Sequence, residues 1–300
     1  MTDLGSILDL ADLAVSRCED IVTETSRDDL ASVVHRVRGR SGFIGEVLVV
    51  AFVGGTGSGK SSLVNGLVGV DVAQIGVARP TTDTAFAVTP QDSYLRFDRL
   101  FVNLGVSDHV EAGSLHSLVL VDLPDFDSTV EAHRRVAQEV LPRVDAVVWV
   151  FDSEKYADSV IHREFLAGLT PYTDQFVFVL NKVDRLGEST DRVAAHLRTL
   201  LVDDGFPAPE VVETVASGEL LDVSQLRESL VERLDIKRTS MSKLLTDLRL
   251  AANDGWSEVQ RAISQEAPTG ERADRMGLSS ATFVWLGVEA TGMLHGMMEV

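Results

Sequence analysis

A chain of 300 residues, 45% apolar and 24% charged, has the balance of an ordinary globular protein and enough length to bury a sizeable core. Its formal charge of −19 repels nucleic-acid backbones, and the densest basic run, Arg36, Arg38 and Arg40, reads as a solvated helix end. A single cysteine, Cys18, excludes an internal disulfide and a cysteine-rich metal site; with no secretory pattern visible, the expected setting is reducing and cytoplasmic.

The first segment, 1–45, is predicted helical. Leu4, Ile7, Leu8, Ala11, Ala14, Val15, Cys18, Ile21 and Val22 recur at helical spacing, which makes Cys18 a packed thiol. Ser26-Arg27-Asp28-Asp29 offers a start signal for a second helix through Leu30, Val33, Val34 and Val37. Gly39, Gly42 and Gly45 punctuate a linker.

From 46 to 236 short apolar runs alternate with amphipathic stretches. Val47–Val53, Leu118–Val121, Ala146–Phe151, Phe176–Leu180 and Val211–Val215 are strand-like, with helical patterns near 60–68, 130–140, 159–168, 189–202 and 222–234. Nearly continuous apolar strands separated by helices indicate a mostly parallel sheet with helices on both faces, an α/β domain. A strand near 84–89 is the candidate antiparallel edge.

The last segment, 237–300, loses the sheet pattern. A helical run over 240–265 precedes a break at Pro268-Thr269-Gly270. Ser279–Met298 then carries one charge, Glu289, over a length that could span a bilayer. Its glycines, hydroxyls and His295 dilute the pattern, so packing on a partner and membrane contact both stay open.

Gly54-Gly55-Thr56-Gly57-Ser58-Gly59-Lys60-Ser61-Ser62 follows the first strand and opens a helix. Small residues let successive backbone N–H groups converge on phosphate oxygens, and strand–loop–helix context is what gives such a motif meaning. Lys60 is expected to reach the β- and γ-phosphates, and the Ser61 hydroxyl to ligate magnesium.

Asn181-Lys182-Val183-Asp184 closes the strand Phe176–Leu180. A carboxylate at Asp184 accepts from guanine N1–H and its exocyclic amine, whereas adenine offers an acceptor and no amine. Such a mismatch discriminates by orders of magnitude. Asn181 is expected to tie this loop to the phosphate loop, with the Lys182 stem covering the base. Ala216-Ser217 is the candidate second base-contacting loop.

Leu118–Val121 ends in Asp122, placed to hold magnesium through a water. Between it and the phosphate loop lies Arg79-Pro80-Thr81-Thr82. A threonine there can ligate magnesium and sense the γ-phosphate; Thr82 is favoured and Thr81 is the runner-up.

These four elements, in this order, resemble the P-loop GTPases of the translation-factor-related class. The Arg-Pro-Thr-Thr and Asp-Leu-Pro segments are similar to bacterial dynamin-like and Era-like GTPases. Asp122–Ser128, Trp149–Asp158 with His162, and Asn181–Asp184 resemble a group of actinobacterial predicted GTPases. The resemblance covers about 46–236. It implies a GTPase domain between N- and C-terminal helical segments, GTP or GDP as ligand, Mg2+ as cofactor, and pairing or oligomerisation of GTPase domains. In that group hydrophobic, membrane-inserting helices usually follow.

The chain departs from the family where hydrolysis is concerned. Asp125 stands where Asp-x-x-Gly has glycine, and Phe126 where small GTPases have glutamine. Thr56 replaces the phosphate-loop glutamine of dynamins, and Gly57 the asparagine of potassium-activated relatives. Slow intrinsic turnover is therefore expected, with Lys60, Thr82 and Asp125 as the catalytic candidates. Acceleration is left to a partner, to dimerisation, or to Asp125, Asp127 or Arg79.

The seven histidines lack metal-ligand spacing and read as structural or surface residues. Lys155-Tyr156-Ala157-Asp158 reads as a helix start more than as chemistry. The leading expectation is a GTP-binding switch; the alternative is a guanine-nucleotide sensor or scaffold that does not hydrolyse. An ATP-driven transporter subunit, suggested by Thr56–Ser62, lacks the Leu-Ser-Gly-Gly signature, and Asp184 argues against adenine.

Overall fold

The computed structural model describes residues 4–17, 21–40, 47–72, 85–91, 97–125, 136–162, 166–216, 218 and 220–265. Seven strands form one sheet: β1 (Leu48–Val53), β2 (Ala85–Thr89), β3 (Val106–Glu111), β4 (Leu118–Asp122), β5 (Ala146–Asp152), β6 (Phe176–Asn181) and β7 (Val211–Thr214). Their order is β3-β2-β4-β1-β5-β6-β7. β4, β1, β5, β6 and β7 run parallel, while β2 pairs antiparallel with β4 and parallel with β3.

β2 is thus antiparallel, as the sequence suggests, but it is not the edge. The edge is β3, a strand the hydrophobic pattern does not announce. Its Val106-Ser107-Asp108-His109-Val110-Glu111 is partly solvated throughout, with no apolar run to mark it. Polar, half-exposed residues are what an edge strand carries to discourage pairing with another chain.

The central strands are buried on both faces. Successive side chains in a strand point to opposite faces. Leu48, Val50 and Phe52 of β1 pack with Leu63, Val64 and Leu67 of helix α3 (Lys60–Val68) and with Leu226, Leu230 and Leu234 of helix α6 (Ser224–Gln265). Arg227 of α6 donates to the Leu67 carbonyl at 2.5 Å, satisfying a carbonyl at the end of α3. An aromatic group stands among Trp149 of β5, Phe176 and Phe178 of β6, and Phe206. Phe206 meets Phe178 edge-on at 4.9 Å. Among the described residues, the α-helices α4 (Asp98–Leu104) and α5 (Thr190–Asp203) also belong to the sheet unit; α5 buries Ala194, Leu197 and Leu201.

The chain divides into two compact units, one over Val47–Leu234 and one gathering residues from Met1–Glu46 and Asp235–Val300. In the second, α1 (Leu4–Arg17) and α2 (Glu24–Arg40) share a core with the later part of α6. Ile7, Ala11, Leu30 and Val34 lie with Leu245, Leu248 and Val259 in that core. The sequence separates a helix near 222–234 from another over 240–265; the structure joins them. α6 is one helix of 42 residues, because 235–243 contains neither glycine nor proline to end it.

α2 starts at Glu24, ahead of the expected signal, with the Thr23 hydroxyl accepting from the Ser26 N–H at 3.4 Å and Glu258 bracing the turn. The Glu258 carboxylate accepts from the Thr23 N–H at 2.7 Å, the Thr23 hydroxyl at 3.0 Å and the Ser26 hydroxyl at 2.7 Å. Burial works to raise the Glu258 carboxyl, but these bonds outweigh it and hold the group below its usual range. Arg36 lies 3.6 Å from Asp247 and is half exposed, as a solvated helix end should be.

Cys18 and residues 266–300, including the apolar stretch 279–298, lie outside the described residues, as does most of the helical pattern near 130–140. Among the described residues, no helix is long and apolar enough to cross a membrane.

Candidate functional site

β1 delivers the chain into the loop Gly54–Gly59, and α3 begins at Lys60. Two glycines are required by close approach. A Cβ on Gly54 (φ 157°) would stand 2.5 Å from the Val150 carbonyl oxygen of β5. One on Gly59 (φ 101°) would stand 2.2 Å from Asn181 Nδ2. Left-handed backbone at Gly57 and Gly59 belongs to the turn types in which main-chain N–H groups form an anion-binding concavity. The Ser58 hydroxyl inside this loop is buried and has no hydrogen-bond partner among the described residues.

Lys60 is 5% exposed and its ammonium is held at two points. It donates to the Gly54 carbonyl at 2.9 Å and to Asp125 Oδ1, which closes an ion pair. Asp125 follows Leu123-Pro124, and the Leu123 N–H is tied to the Phe52 carbonyl of β1 at 3.2 Å. Ser61, next along α3, donates from Oγ to Asp122 Oδ2 at 2.5 Å. Asp122 pairs in register with Phe52 and Phe86, which carries it to the phosphate-loop end of the sheet. Burial pushes its carboxyl up, opposed by the Ser61 hydrogen bond and the Lys60 charge. Its Oδ1 is buried and has no hydrogen-bond partner among the described residues.

A hydroxyl at the start of α3 and a buried carboxylate closing β4, with one oxygen uncommitted, form an all-oxygen donor set. This is what a hard divalent cation such as magnesium takes, with water and phosphate oxygens completing its shell. The described residues here fit that cation.

Asn181 is the hub of the second half of the site. Its Nδ2 donates to the Ser58 carbonyl at 2.8 Å. Its Oδ1 accepts from Thr214 Oγ1 at 3.1 Å and from the Ala216 N–H at 3.2 Å. The carboxamide therefore joins the phosphate loop, the end of β6 and the loop after β7, and it is 1% exposed. Lys182 adopts a left-handed backbone (φ 65°) and donates to the Gly57 carbonyl at 2.5 Å and to Asp152 Oδ2 at 2.6 Å. Burial works to raise the Asp152 carboxyl, yet bonds from Lys182 and the Glu154 N–H, with the charges of Lys182 and Arg185, leave it below its usual range. Asp184 sits in a short turn, Val183–Arg185, with its side chain exposed.

The structure thus brings together Gly54–Ser62, Asp122, Asp125, Asn181, Lys182 and Ala216, with Asp184 two residues beyond Lys182. Thr81, Thr82, Ser217, Arg79, Phe126 and Asp127 lie outside the described residues. Three participants escape the sequence reading: Asp152, Thr214 and Ser153. Ser153 binds the Asn181 carbonyl through its N–H at 3.1 Å and the Lys182 carbonyl through its hydroxyl at 2.9 Å. Asp152 carries the one usable signal, an acid closing an apolar strand; in register it pairs with Asn181. The Lys155–Asp158 stretch behaves as a helix start, with Asp158 Oδ1 accepting from the Val160 N–H at 2.9 Å.

Strand, glycine loop and helix, with an acid on the adjoining strand and Asn-Lys-x-Asp at a third, define a P-loop nucleotide-binding domain. Residues 49–182 match the family model described as a 50S ribosome-binding GTPase, and the sheet with its flanking helices has the P-loop GTPase fold.

Over 208 residues the chain is 26% identical to the probable transmembrane GTPase FZO-like, chloroplastic, of Arabidopsis thaliana, covering 65% of this chain and 22% of that protein. It is 28% identical over 111 residues to GTPase Der of Aquifex aeolicus (strain VF5), covering 36% of this chain and 25% of the relative. The chain spans a quarter or less of the length of these relatives. A solved bacterial dynamin pair aligns over 87% of this chain and 47% of its own, at 14% identity and a TM-score of 0.48. Aquifex aeolicus Era bound to GDP.AlF4- aligns over 63% and 57%, at 20% identity and 0.43.

Proposed function

We propose that this chain binds GTP with magnesium and hydrolyses it slowly to GDP, working as a dynamin-like or Era-like switch. Asn181 is the observation that carries this reading. One buried carboxamide links the phosphate loop at Ser58 to the loop at Ala216, beside the turn that presents Asp184. Base choice and phosphate binding are then parts of one hydrogen-bonded unit.

In this reading Gly54–Ser62 cradle the phosphates through backbone N–H groups, and Lys60 neutralises charge on the β- and γ-phosphates. Asp184 accepts two hydrogen bonds from guanine, the Lys182 stem covers the base, and Ala216-Ser217 flank it. Ser61, Asp122 and Thr82, with Thr81 as the alternative, hold magnesium, which supplies positive charge against phosphate oxygens when bound. Water attacks the γ-phosphorus, the bond to the β–γ bridging oxygen breaks, and GDP leaves. Asp125 is the carboxylate at hand to orient that water. Thr56 and Gly57 stand where other GTPases place a water- or cation-positioning side chain, so rapid turnover needs a partner or a second GTPase domain.

We place the GTPase domain at 46–236, with helical segments at 1–45 and 237–300. The last of these is the segment open to a partner or a membrane, and the cytoplasm is the setting of this reading. The second reading is a guanine-nucleotide sensor that barely hydrolyses, favoured by the engagement of Lys60 with Asp125.

Nucleotide titration with Asp184→Asn tests the base assignment. The wild type should prefer GTP over ATP and XTP by at least about a hundredfold, and the variant should shift toward XTP. An unchanged preference would remove Asp184 from the site. Phosphate release measured against protein concentration and liposomes separates the two readings. A rate rising with either supports an assembly-linked GTPase, and no release under any condition supports the sensor.

A further inference from the structure

We infer that Asp125 sets the nucleotide preference of this site: its carboxylate competes with the terminal phosphate of a triphosphate for the Lys60 ammonium. The inference rests on the reading that the chain binds guanine nucleotide. It adds that the residue at this position biases binding toward the diphosphate.

Lys60 is nearly buried, and two of its three N–H directions are committed, one to the Gly54 carbonyl and one to Asp125. The first is a main-chain bond internal to the loop. The second is an ion pair with a side chain that is 17% exposed. Asp125 does not dangle from a free segment, because Pro124 restricts the backbone before it and the Leu123 N–H is pinned to β1. Its negative charge also acts on Asp122, where it works to raise the carboxyl. Among the described residues, the phosphate end of the site therefore holds two carboxylates against one ammonium, within a sheltered pocket where charges are poorly screened.

A further anion at Lys60 must displace Asp125 or lie against it, and like charges at close quarters are strongly unfavourable. A diphosphate brings less charge to this end of the site than a triphosphate does. Glycine at position 125 would supply only a backbone N–H and no competing charge. Asp125 thus penalises the triphosphate more than the diphosphate, and a divalent cation at Ser61 and Asp122 offsets part of that penalty.

The test is equilibrium titration of the full chain with a fluorescent GDP and a fluorescent non-hydrolysable GTP analogue, both with magnesium. Wild type, Asp125→Asn, Asp125→Gly and Asp125→Glu are compared. Removing the charge should raise the ratio Kd(GDP)/Kd(triphosphate) about tenfold, chiefly through tighter triphosphate binding, since a close like-charge contact is lost. Asp125→Glu, which keeps the charge, should stay near wild type. Equal ratios in wild type, Asn and Gly variants overturn the inference while leaving guanine-nucleotide binding intact. Failure of folded wild type to bind either nucleotide overturns both. Circular dichroism and denaturation midpoints identify folded variants, and Asp125→Gly carries the test if Asp125→Asn does not fold.

Discussion

Asn181 Nδ2 donates to the Ser58 carbonyl across 123 residues of sequence, at 2.8 Å and fully sheltered from water. Its Oδ1 accepts from both Thr214 and Ala216, so every hydrogen bond this carboxamide makes joins separate segments of the site. Truncation to alanine leaves a buried carbonyl, a hydroxyl and an N–H without partners. Asn181→Ala should lose about 2–4 kcal/mol of stability, from unsatisfied groups costing about 1–3 kcal/mol each with partial relaxation. Urea denaturation measures this. Asn181→Asp should also lose nucleotide, because a carboxylate cannot donate to Ser58.

Gly59→Ala tests the packing between loop and hub. The residue adopts a left-handed φ of 101°, and its Cβ would lie 2.2 Å from Asn181 Nδ2. Left-handed backbone alone costs an alanine about 1–2 kcal/mol, and the clash adds to that by forcing Asn181 aside. A falling denaturation midpoint together with lost GTP binding is expected. Gly57→Ala has open space around its Cβ and should be the milder change, limited to backbone strain.

Asp152 gives a pH dependence of definite sign. Its folded carboxyl lies below the ordinary value of 3.8, so the folded state favours the charged form. The stabilisation is present above 3.8 and disappears as pH falls through the folded value. Asp152→Asn should therefore cost about 1 kcal/mol near neutrality, after solvent screening of a partly exposed pair. The difference from wild type should vanish in acid. Thermal melts between pH 7 and pH 2 follow it, and a difference that grows in acid would exclude this origin.

Glu258→Ala removes the carboxylate that receives Thr23 and Ser26 at the start of α2. Thr23, whose hydroxyl caps the Ser26 N–H, then loses its brace, at a cost of about 1 kcal/mol. Hydrogen exchange should quicken in the first turn of α2 and leave β1 and α3 unchanged. Glu258→Gln, which keeps an acceptor, should recover part of the protection.

How legible each element was follows from how much of its signal is local. The central strands were readable because burial on both faces forces continuous apolar runs, as in Val147–Phe151 and Phe176–Leu180. The phosphate loop was readable because close approach requires glycine at 54 and 59, a left-handed turn favours it at 57, and phosphate chemistry calls for a cation such as Lys60. β3 was not, since an edge strand keeps polar residues and borrows its conformation from the neighbour it pairs with. The continuity of α6 was hidden for a different reason: the apolar pattern changes along it while the backbone does not.

By itself the sequence determined the residue types of the site, namely a glycine loop with Lys60 and Ser61, an acid closing β4, and Asn-Lys-x-Asp closing β6. These are set by local backbone geometry and by the chemistry of phosphate and base. Only the tertiary structure decided which of them bond to one another. Asn181 was expected on the phosphate loop, but its bond to Ser58 there, and the pairs Lys182 on Asp152 and Asp125 on Lys60, are partnerships across 123, 30 and 65 residues. No local pattern encodes such pairs, because they exist only once parallel strands bring their C-terminal ends to one edge of the sheet.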